Sequence, residues 1–221
     1  NQVFWSMLNK SKSHVISNKI EHPAVIKVLK RLSTFNLDYS LINVDKNGLI
    51  SLDELKGQIT DQTSLVSIMM SNNEIGTIQP IKQVVELLKG KNILMHTDAV
   101  QCFGKISVDV EVLGIDFLSL SAHKFYGPKG LGILYVKNRD TINNLLIGGS
   151  QEYGLRGGTE NVASSVKWAD HIVFHPINFS FGFIAVKKYY GNSLQVFSRW
   201  HLIFVALIGE EVILRLFRDV L

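Results

Sequence analysis

"LSLSAHKFYGPKGLGILYV", residues 118–136, contains two apolar segments joined by a polar turn. Each apolar segment has the length and composition of a buried strand. Lys124 comes soon after the first segment, with His123 before it and an aromatic pair and a Gly-Pro turn after it. A solvated loop lysine is the usual state of this residue type and needs no such surroundings. The alternative is a lysine held for chemistry at the end of a core strand.

Outward from this stretch, the chain alternates short β-rich segments with amphipathic helical ones. One helix is predicted to begin at Pro23, and a capping box of Ser51 and Glu54 predicts the start of a second. A third helix is predicted between Pro80 and Gly90. This alternation predicts an α/β fold, with a mostly parallel sheet and helices on both faces. The predicted strands are "HVIS" (14–17), "YSLINV" (39–44), "LVSIMM" (65–70), "ILMHT" (93–97), "DFLSL" (116–120) and "ILYV" (133–136).

Three polar clusters follow predicted strands: "SNNEIG" (71–76), "HTDAVQ" (96–101) and "SAHKFYG" (121–127). Ligands bind beyond the carboxyl ends of strands in such sheets, so we expect the clusters to converge. An aldehyde cofactor with a phosphate and a pyridine nitrogen requires an amine, an acid and phosphate donors. The clusters supply Lys124 as the amine, Asp98 as the acid, Ser121 and His123 as phosphate donors, Gln101 for a ring hydroxyl and Asn73 as an amide donor.

Structural roles compete with these assignments. Asp98 also fits a helix cap, and His22 in "IEHPAV" (20–25) fits a capping or core histidine, although an imidazole also stacks on a flat ring. His96 and Asp98 resemble a metal pair, but no further ligand spacing supports a metal site. The glycines of "GPKGLG" (127–132) precede a strand and lack the form of a phosphate loop, so they do not predict a nucleotide site.

Composition narrows the class of protein. The net charge of +4 is spread along the 221 residues, which does not favour a nucleic-acid partner. The single cysteine, Cys102, excludes intrachain disulfides and paired-thiolate zinc sites and suits a reducing compartment. We expect no secretory signal in "NQVFWSMLNK" (1–10) and no membrane helix, because the apolar run "HLIFVALIG" (201–209) ends at two glutamates.

From about Asn1 to Ser165 the chain resembles the cysteine desulfurases and selenocysteine lyases, pyridoxal-phosphate enzymes of the class V aminotransferase group. The resemblance implies the large domain of fold type I pyridoxal-phosphate enzymes, acting on L-cysteine or L-selenocysteine. The segments that carry it are "IEHPAV" (20–25), "NNEIGTIQPI" (72–81), "HTDAVQ" (96–101), "GIDFLSLSAHKFYGPKGLG" (114–132) and "GGSQEYGLRGGTEN" (148–161).

The resemblance also implies residue roles. Lys124 would form a Schiff base with pyridoxal 5'-phosphate and His22 would stack on its ring, and these two residues are the catalytic candidates. Thr159 would contact the phosphate of the neighbouring subunit's cofactor, which implies a homodimer. Arg156 lies in the same segment, and a structural ion pair remains an alternative for it. The remaining implied contacts are Asp98 to the ring nitrogen, Gln101 to the ring hydroxyl oxygen, Ser121 and His123 to the phosphate, and Asn73 beside substrate and cofactor.

Two departures from the family pattern accompany the resemblance. A glycine-rich phosphate-binding segment would precede residue 1, and a small domain with a nucleophilic cysteine would follow "GTEN" (158–161). Residues 166–221 hold eleven aromatic side chains without a steady period and do not align with that domain. We therefore predict a partial cofactor domain over 1–165, incomplete at both ends, and a divergent, poorly ordered tail over 166–221.

Two functions remain open from the sequence. The first is a desulfurase or lyase of the cytoplasm or mitochondrial matrix, whose partners include a homodimer mate and a sulfur-acceptor or scaffold protein. The second is a truncated, non-catalytic chain that lacks the nucleophilic cysteine. Cys102 does not substitute for that cysteine, because it is expected to be buried and inert in a helix after a strand.

Overall fold

The computed structural model describes residues 1–8, 10–159 and 161, together with the backbone of 202–203. The strands are β1 His14–Asn18, β2 Asp38–Ile42, β3 Thr63–Ser67, β4 Leu94–Asp98, β5 Phe117–Ser121, β6 Gly132–Val136 and β7 Leu202–Ile203. The helices are α1 Gln2–Trp5, α2 Pro23–Leu32, α3 Leu52–Gln58, α4 Ile81–Leu88, α5 Val110–Leu113 and α6 Gln151–Gly154. Short 3₁₀ segments lie at Ser33–Phe35, Ala122–Phe125 and Arg139–Thr141.

All described strands form one sheet with the order β2-β1-β3-β4-β5-β6-β7. Strands β1 to β5 pair in parallel, whereas β6 is antiparallel to β5 and β7 is antiparallel to β6. The switch at β6 follows from the connection, because residues 122–131 are too few for a helical crossover and instead turn back beside β5. The predicted mostly parallel sheet and its six predicted strands are confirmed.

Both faces of the sheet are buried. Consecutive residues along a strand point to opposite faces, so each buried pair contributes to two separate apolar clusters. One cluster contains Ile16, Val66 and Leu118 with residues of α3 and α4, and the other contains their strand neighbours Val15, Leu65 and Phe117 with residues of α1 and α2. This two-sided burial keeps the central strands rigid and fixes the positions of the residues at their ends.

The helices begin where the sequence predicted, with one correction. Pro23 opens α2 and Pro80 precedes α4, and the Ser51 hydroxyl caps α3 by accepting a hydrogen bond from the Glu54 amide at 3.2 Å. The reciprocal half of the predicted capping box is absent at this helix. The Glu54 carboxylate instead accepts hydrogen bonds from the backbone and side-chain nitrogens of Asn43, at 3.0 and 2.8 Å, because the end of β2 lies within its reach.

The predicted boundary at residues 165 and 166 lies outside the described residues, as do the side chains of the predicted tail. Within that tail, β7 pairs with β6 through Leu202 opposite Tyr135 and Ile203 opposite Leu134. No helix in the described part of the chain is long and apolar enough to cross a membrane.

Candidate active site

The polar clusters predicted from the sequence meet at one edge of the sheet. Strands β1, β3, β4 and β5 are neighbours and run in parallel, so their carboxyl ends lie side by side. His22 follows β1, Asn73 follows β3, Asp98 ends β4 and Ser121 ends β5. The predicted convergence of the strand-end clusters is therefore confirmed.

A cavity of about 410 Å³ opens at this edge. Its volume falls in the range of sites that hold small molecules and cofactors. Asp98, Ser121 and His123 supply polar groups to its wall. Further polar residues, among them Gln2, His96 and Ser119, also line the wall, but the wall is largely apolar, with contributions from α1, from the start of α2 and from β6. Its apolar part suits a flat ring, while Asp98, Ser121 and His123 suit charged substituents.

Asp98 is the acid of this cavity. Its Oδ1 accepts a hydrogen bond from the Val100 amide at 2.9 Å, which turns the chain after β4. Within the described residues, no hydrogen bond reaches Oδ2. Burial raises the pKa of Asp98, and the Val100 hydrogen bond and the nearby His22 imidazole partly offset that rise. A cation in the cavity would therefore favour the ionised carboxylate, since opposite charge stabilises it.

Ser121, His123 and Lys124 lie in and just after β5. The Ser121 hydroxyl and His123 Nδ1 are 2.9 Å apart and form a hydrogen bond. Lys124 lies in the 3₁₀ segment Ala122–Phe125, which ends at Tyr126 with a left-handed backbone (φ 66°). The Lys124 side chain is exposed, and among the described residues it makes no hydrogen bond or ion pair. Its amine is therefore available for a bond to a ligand.

His22 performs the capping role that the sequence left open. Its Nδ1 accepts a hydrogen bond from the Ala24 amide at 3.2 Å at the start of α2, and the ring is exposed. The cap fixes one nitrogen and leaves the ring face accessible. Capping and ring stacking are thus compatible, because stacking uses the face and capping uses the edge.

Five predicted site residues lie outside the cavity wall: the catalytic candidates His22 and Lys124, and also Gln101, Asn73 and Thr159. Gln101 accepts a hydrogen bond from the Lys105 ammonium at 2.9 Å, and Asn73 and Thr159 have exposed side chains. Thr159 lies in the segment after α6. Contact between any of these residues and a ligand in the cavity requires a ligand that extends beyond the wall, a side-chain rotation or, for Thr159, a second subunit.

His96 does not form the metal pair considered from the sequence. Its Nδ1 is 2.8 Å from the Ser67 hydroxyl and its Nε2 is 2.9 Å from the Ser119 hydroxyl, so both ring nitrogens have partners. Burial lowers the pKa of His96 to about 3, which keeps the ring neutral. Within the described residues, no group of histidine, cysteine and acidic side chains could hold a metal ion.

Sequence reasoning missed the contribution of α1. Gln2, Val3 and Phe4 line the cavity, and the Phe4 ring contacts the His96 ring edge-on with centroids 5.6 Å apart. A helix of four residues is too short to show a 3.6-residue period, so the sequence carried no signal for it. Sequence reasoning also missed Glu21, a buried carboxyl beside His22.

Cys102 is buried, as predicted, but it lies in a turn after β4 and not in the predicted helix. Burial raises the pKa of its thiol to about 12, with the Asp98 charge as a smaller cause. A thiol in this environment stays protonated at neutral pH and is a poor nucleophile.

Comparison with known proteins gives consistent results. The chain is 52% identical over 159 residues to "Cysteine desulfurase IscS" of Clostridium botulinum (strain Hall), an alignment that covers 72% of this chain and 40% of that protein. It is 45% identical over 152 residues to "Cysteine desulfurase, mitochondrial" of Eremothecium gossypii, covering 68% of this chain and 31% of that protein. A solved structure described as "SspA in complex with cysteine" superposes with a TM-score of 0.73 at 37% identity, covering 79% of this chain and 51% of the other.

The chain thus spans about half or less of the length of these relatives. The family described as "Aminotransferase class-V" matches residues 1–184, which is most of the sequence. On the strength of this match, together with the mostly parallel sheet and its polar carboxyl edge, the chain belongs to the class V aminotransferase family.

Proposed function

We propose that this chain forms the cofactor-binding part of a pyridoxal-phosphate-dependent cysteine desulfurase. The observation that carries the proposal is the cavity at the sheet edge, where Asp98 and the Ser121–His123 pair line the wall and Lys124 follows them directly. An acid, phosphate donors and an unpaired amine are the groups that pyridoxal phosphate requires. Among the described residues no hydrogen bond reaches Oδ2 of Asp98, so this atom could accept one from a protonated ring nitrogen, whose positive charge would favour the ionised carboxylate.

Bound pyridoxal phosphate would supply an electron sink for bonds at the substrate's α-carbon. Lys124 would hold the cofactor covalently and then, once released by the substrate amine, move protons at the substrate carbons as a general base. Asp98 would keep the ring nitrogen protonated through Coulomb attraction. Ser121 and His123 would bind the phosphate, and the ring face of His22 would pack on the cofactor.

The relatives' names and the cysteine complex support L-cysteine as the substrate. In the proposed reaction a thiol, as its thiolate, attacks the substrate sulfur. The S–S bond of a persulfide forms while the C–S bond of cysteine breaks, and the carbon that retains the electron pair is protonated to give L-alanine. The persulfide sulfur would then serve iron–sulfur cluster or thiolated cofactor synthesis through a sulfur-acceptor protein. A selenocysteine lyase is not favoured by these comparisons.

The attacking thiolate is not Cys102, which is the single cysteine of the 221 residues and is buried with a raised pKa. The thiolate must therefore come from outside this stretch of sequence, either from a longer form of the chain or from another protein. The similarity to bacterial and mitochondrial relatives supports either the cytoplasm or the mitochondrial matrix as the location of this protein.

Reduction of the cofactor bond tests the proposal. The purified chain is incubated with pyridoxal phosphate, treated with borohydride, digested and analysed by mass spectrometry. We expect one pyridoxyl-labelled peptide that contains Lys124, and loss of this label in Lys124→Ala. Lys129→Ala is a matched control, because Lys129 is an exposed lysine in the same turn and should leave the label unchanged. A label that persists on another lysine in Lys124→Ala would refute the assignment.

A further inference from the structure

Glu21 lies beside the candidate site but has no role in the proposed chemistry. Its side chain is 6% exposed, although glutamate is almost never fully buried without a partner. The Oε1 atom accepts hydrogen bonds from the Met69 amide and, at 2.8 Å, from the Asn18 side chain. The Oε2 atom is buried and has no partner among the described residues. This arrangement requires a physical explanation.

The contacts of Glu21 join two separate loops. Asn18 ends β1 and is followed by the loop that carries His22, whereas Met69 follows β3 in the segment that leads to Asn73. The Glu21 side chain thus connects the β1 loop to the β3 segment. The amide of Met70, next to Met69, also donates a hydrogen bond to the Asp98 carbonyl at 2.8 Å. The connection therefore extends to the strand end that holds the candidate acid.

Asn72 makes a second connection between the same two loops. Its Nδ2 donates a hydrogen bond to the Ile20 carbonyl at 2.8 Å, and its Oδ1 accepts from the Glu74 and Ile75 amides at 2.8 and 3.0 Å. Asn72 is 7% exposed and Asn18 is fully buried. Asn18, Glu21 and Asn72 form a buried polar network that we call the loop clamp.

We propose that Glu21 is a positioning residue, whose carbonyl-type oxygen closes the loop clamp and thereby fixes His22 and Asn73 relative to Asp98. The role of His22 and Asn73 beside a cofactor rests on the proposed function. The clamp itself rests on the contacts of Asn18, Glu21 and Asn72.

The burial of Oε2 without a partner among the described residues favours the neutral form of Glu21. An ionised carboxylate with one buried oxygen unpartnered would be strongly unfavourable, whereas a protonated carboxyl keeps Oε1 as a double acceptor. Burial raises the pKa of Glu21 well above its usual value, and the Met69 hydrogen bond only partly offsets the rise. The negative charge of Asp98 acts in the same direction as burial. Glutamine has nearly the same shape, is always neutral and keeps the acceptor oxygen. Its amide nitrogen would take the place of Oε2, where a protonated carboxyl also has a donor without a partner among the described residues, so glutamine should replace Glu21.

Two variants of the full 221-residue chain test this proposal, Glu21→Gln and Glu21→Ala. Without cofactor, amide hydrogen exchange is measured for peptides that cover residues 19–26 and 69–76. We expect Glu21→Ala to speed exchange about tenfold in both segments, since a buried hydrogen bond contributes on the order of 1 kcal/mol, and Glu21→Gln to match the wild type. With pyridoxal phosphate, Glu21→Ala should weaken binding about tenfold and change the induced circular dichroism of the bound cofactor, while Glu21→Gln should retain both.

Glu54→Ala is the matched control. The Glu54 carboxylate also joins two elements, because it accepts hydrogen bonds from Asn43, which follows β2, but it lies in α3 and, among the described residues, has no hydrogen bond to the loop clamp. It should leave exchange in both segments and cofactor dichroism unchanged. If Glu21→Ala fails to fold, Asn72→Ala removes the other connection and should speed exchange in the same two segments.

The outcomes separate the two proposals. If the wild-type chain binds no pyridoxal phosphate, the proposed function is wrong. The hydrogen-exchange measurement still tests the loop clamp in that case, because it is made without cofactor. Unchanged exchange in Glu21→Ala, or a Glu21→Gln variant that exchanges as fast as Glu21→Ala, overturns the clamp whatever the cofactor does.

Discussion

Burial decides the charge of the ionisable side chains at the carboxyl edge of the sheet. It raises the pKa of Asp98 and Glu21 and lowers the pKa of His96 to about 3. Asp98 lines the cavity and can meet a charged ligand there. Glu21 and His96 are buried among protein groups, and in both residues burial shifts the pKa toward the neutral form. The difference explains why one acid at this edge is suited to a cationic ligand and the other to a structural role.

The neutral state of His96 makes stability depend on pH. Its folded pKa lies below that of an unfolded histidine, so between about pH 6.5 and 3 the unfolded chain binds a proton that the folded chain does not. The contribution of His96 to the free energy of unfolding therefore decreases by about 2 kcal/mol when the pH falls from 7 to 5.

Urea unfolding at pH 7 and pH 5 checks this value. At pH 7, His96→Asn should be less stable than the wild type, because the two hydrogen bonds of the His96 ring are lost. Between pH 7 and pH 5, however, its free energy of unfolding should decrease less than that of the wild type. In a histidine NMR titration, the His96 ring resonances should stay constant from pH 7 to pH 4.5. A midpoint near pH 6 would contradict the neutral buried ring.

Asp98→Asn tests the role of the acid. An amide keeps the hydrogen bond from the Val100 amide but cannot offer a negative charge to a ring nitrogen. We expect the fold to persist and the affinity for pyridoxal phosphate to fall by roughly 10- to 100-fold, the value of a charge-assisted hydrogen bond.

Asp116→Asn is the control for this prediction. Asp116 also accepts a backbone hydrogen bond, from Met95 at the other end of β4, and burial also raises the pKa of its carboxyl. It does not line the cavity, so its loss should leave cofactor affinity unchanged. Equal effects of the two variants would mean that Asp98 acts only as a cap. Both affinities are measured by absorbance titration with the cofactor.

At the scale of elements, the strand ends carry the chemistry and the helix starts stabilise the strands. The α2 cap is His22, so the element that packs against the sheet also presents a candidate catalytic ring. The β5–β6 turn carries Ser121, His123 and Lys124 between two paired strands. Strand pairing on both sides of the turn places Lys124 next to His123, which lines the cavity.

The half-formed capping box at α3 gives an element-scale prediction. Ser51→Ala removes the hydroxyl that accepts from the Glu54 amide and should cost about 1 kcal/mol in the free energy of unfolding. Ser51→Asp should retain most of the stability, because an N-terminal carboxylate also caps. Both variants are compared with the wild type by urea denaturation. A Ser51→Ala variant as stable as the wild type would show that α3 is stabilised by packing alone.

At the scale of the whole molecule, one sheet with two buried faces supports a single ligand-binding edge. In the segment 145–159, the side chains of Ile147 and Thr159 are exposed, and Leu145 is the residue that lines the cavity. The proposed homodimer gives this segment a partner, because Thr159 would reach the cofactor phosphate of the other subunit. The division at residue 165 and the expected disorder of 166–221 remain predictions.

Mixed dimers test the shared site. If Lys124 and Thr159 of one site come from different subunits, a heterodimer of Lys124→Ala and Thr159→Ala has one intact site and one doubly defective site. Random mixing should then restore about a quarter of the wild-type cofactor sites, measured as borohydride-fixed label on Lys124. Under conditions in which each variant alone gives little label, a mixture that gives only the sum of the two would contradict the shared site.

The sequence by itself determined strands β1 to β6, helices α2, α3 and α4 and the residues at the strand ends. Alternating apolar segments and helix-start residues such as Pro23 and Ser51 act locally, so their patterns can be read without knowledge of the fold. The order of polar clusters along the chain then predicted that Asp98, Ser121, His123 and Lys124 would lie at one edge, because parallel strands share a direction.

Only the tertiary structure decided the contacts that join distant segments. No local sequence pattern signals the hydrogen bonds from Asn43 to Glu54, the α1 wall of the cavity or the hydrogen bond from the Met69 amide to Glu21. Burial also decided the charge states, because the pKa of a side chain depends on the atoms packed around it and not on its neighbours in the sequence. The residue types were therefore readable from the sequence, whereas their distances and charges required the folded chain.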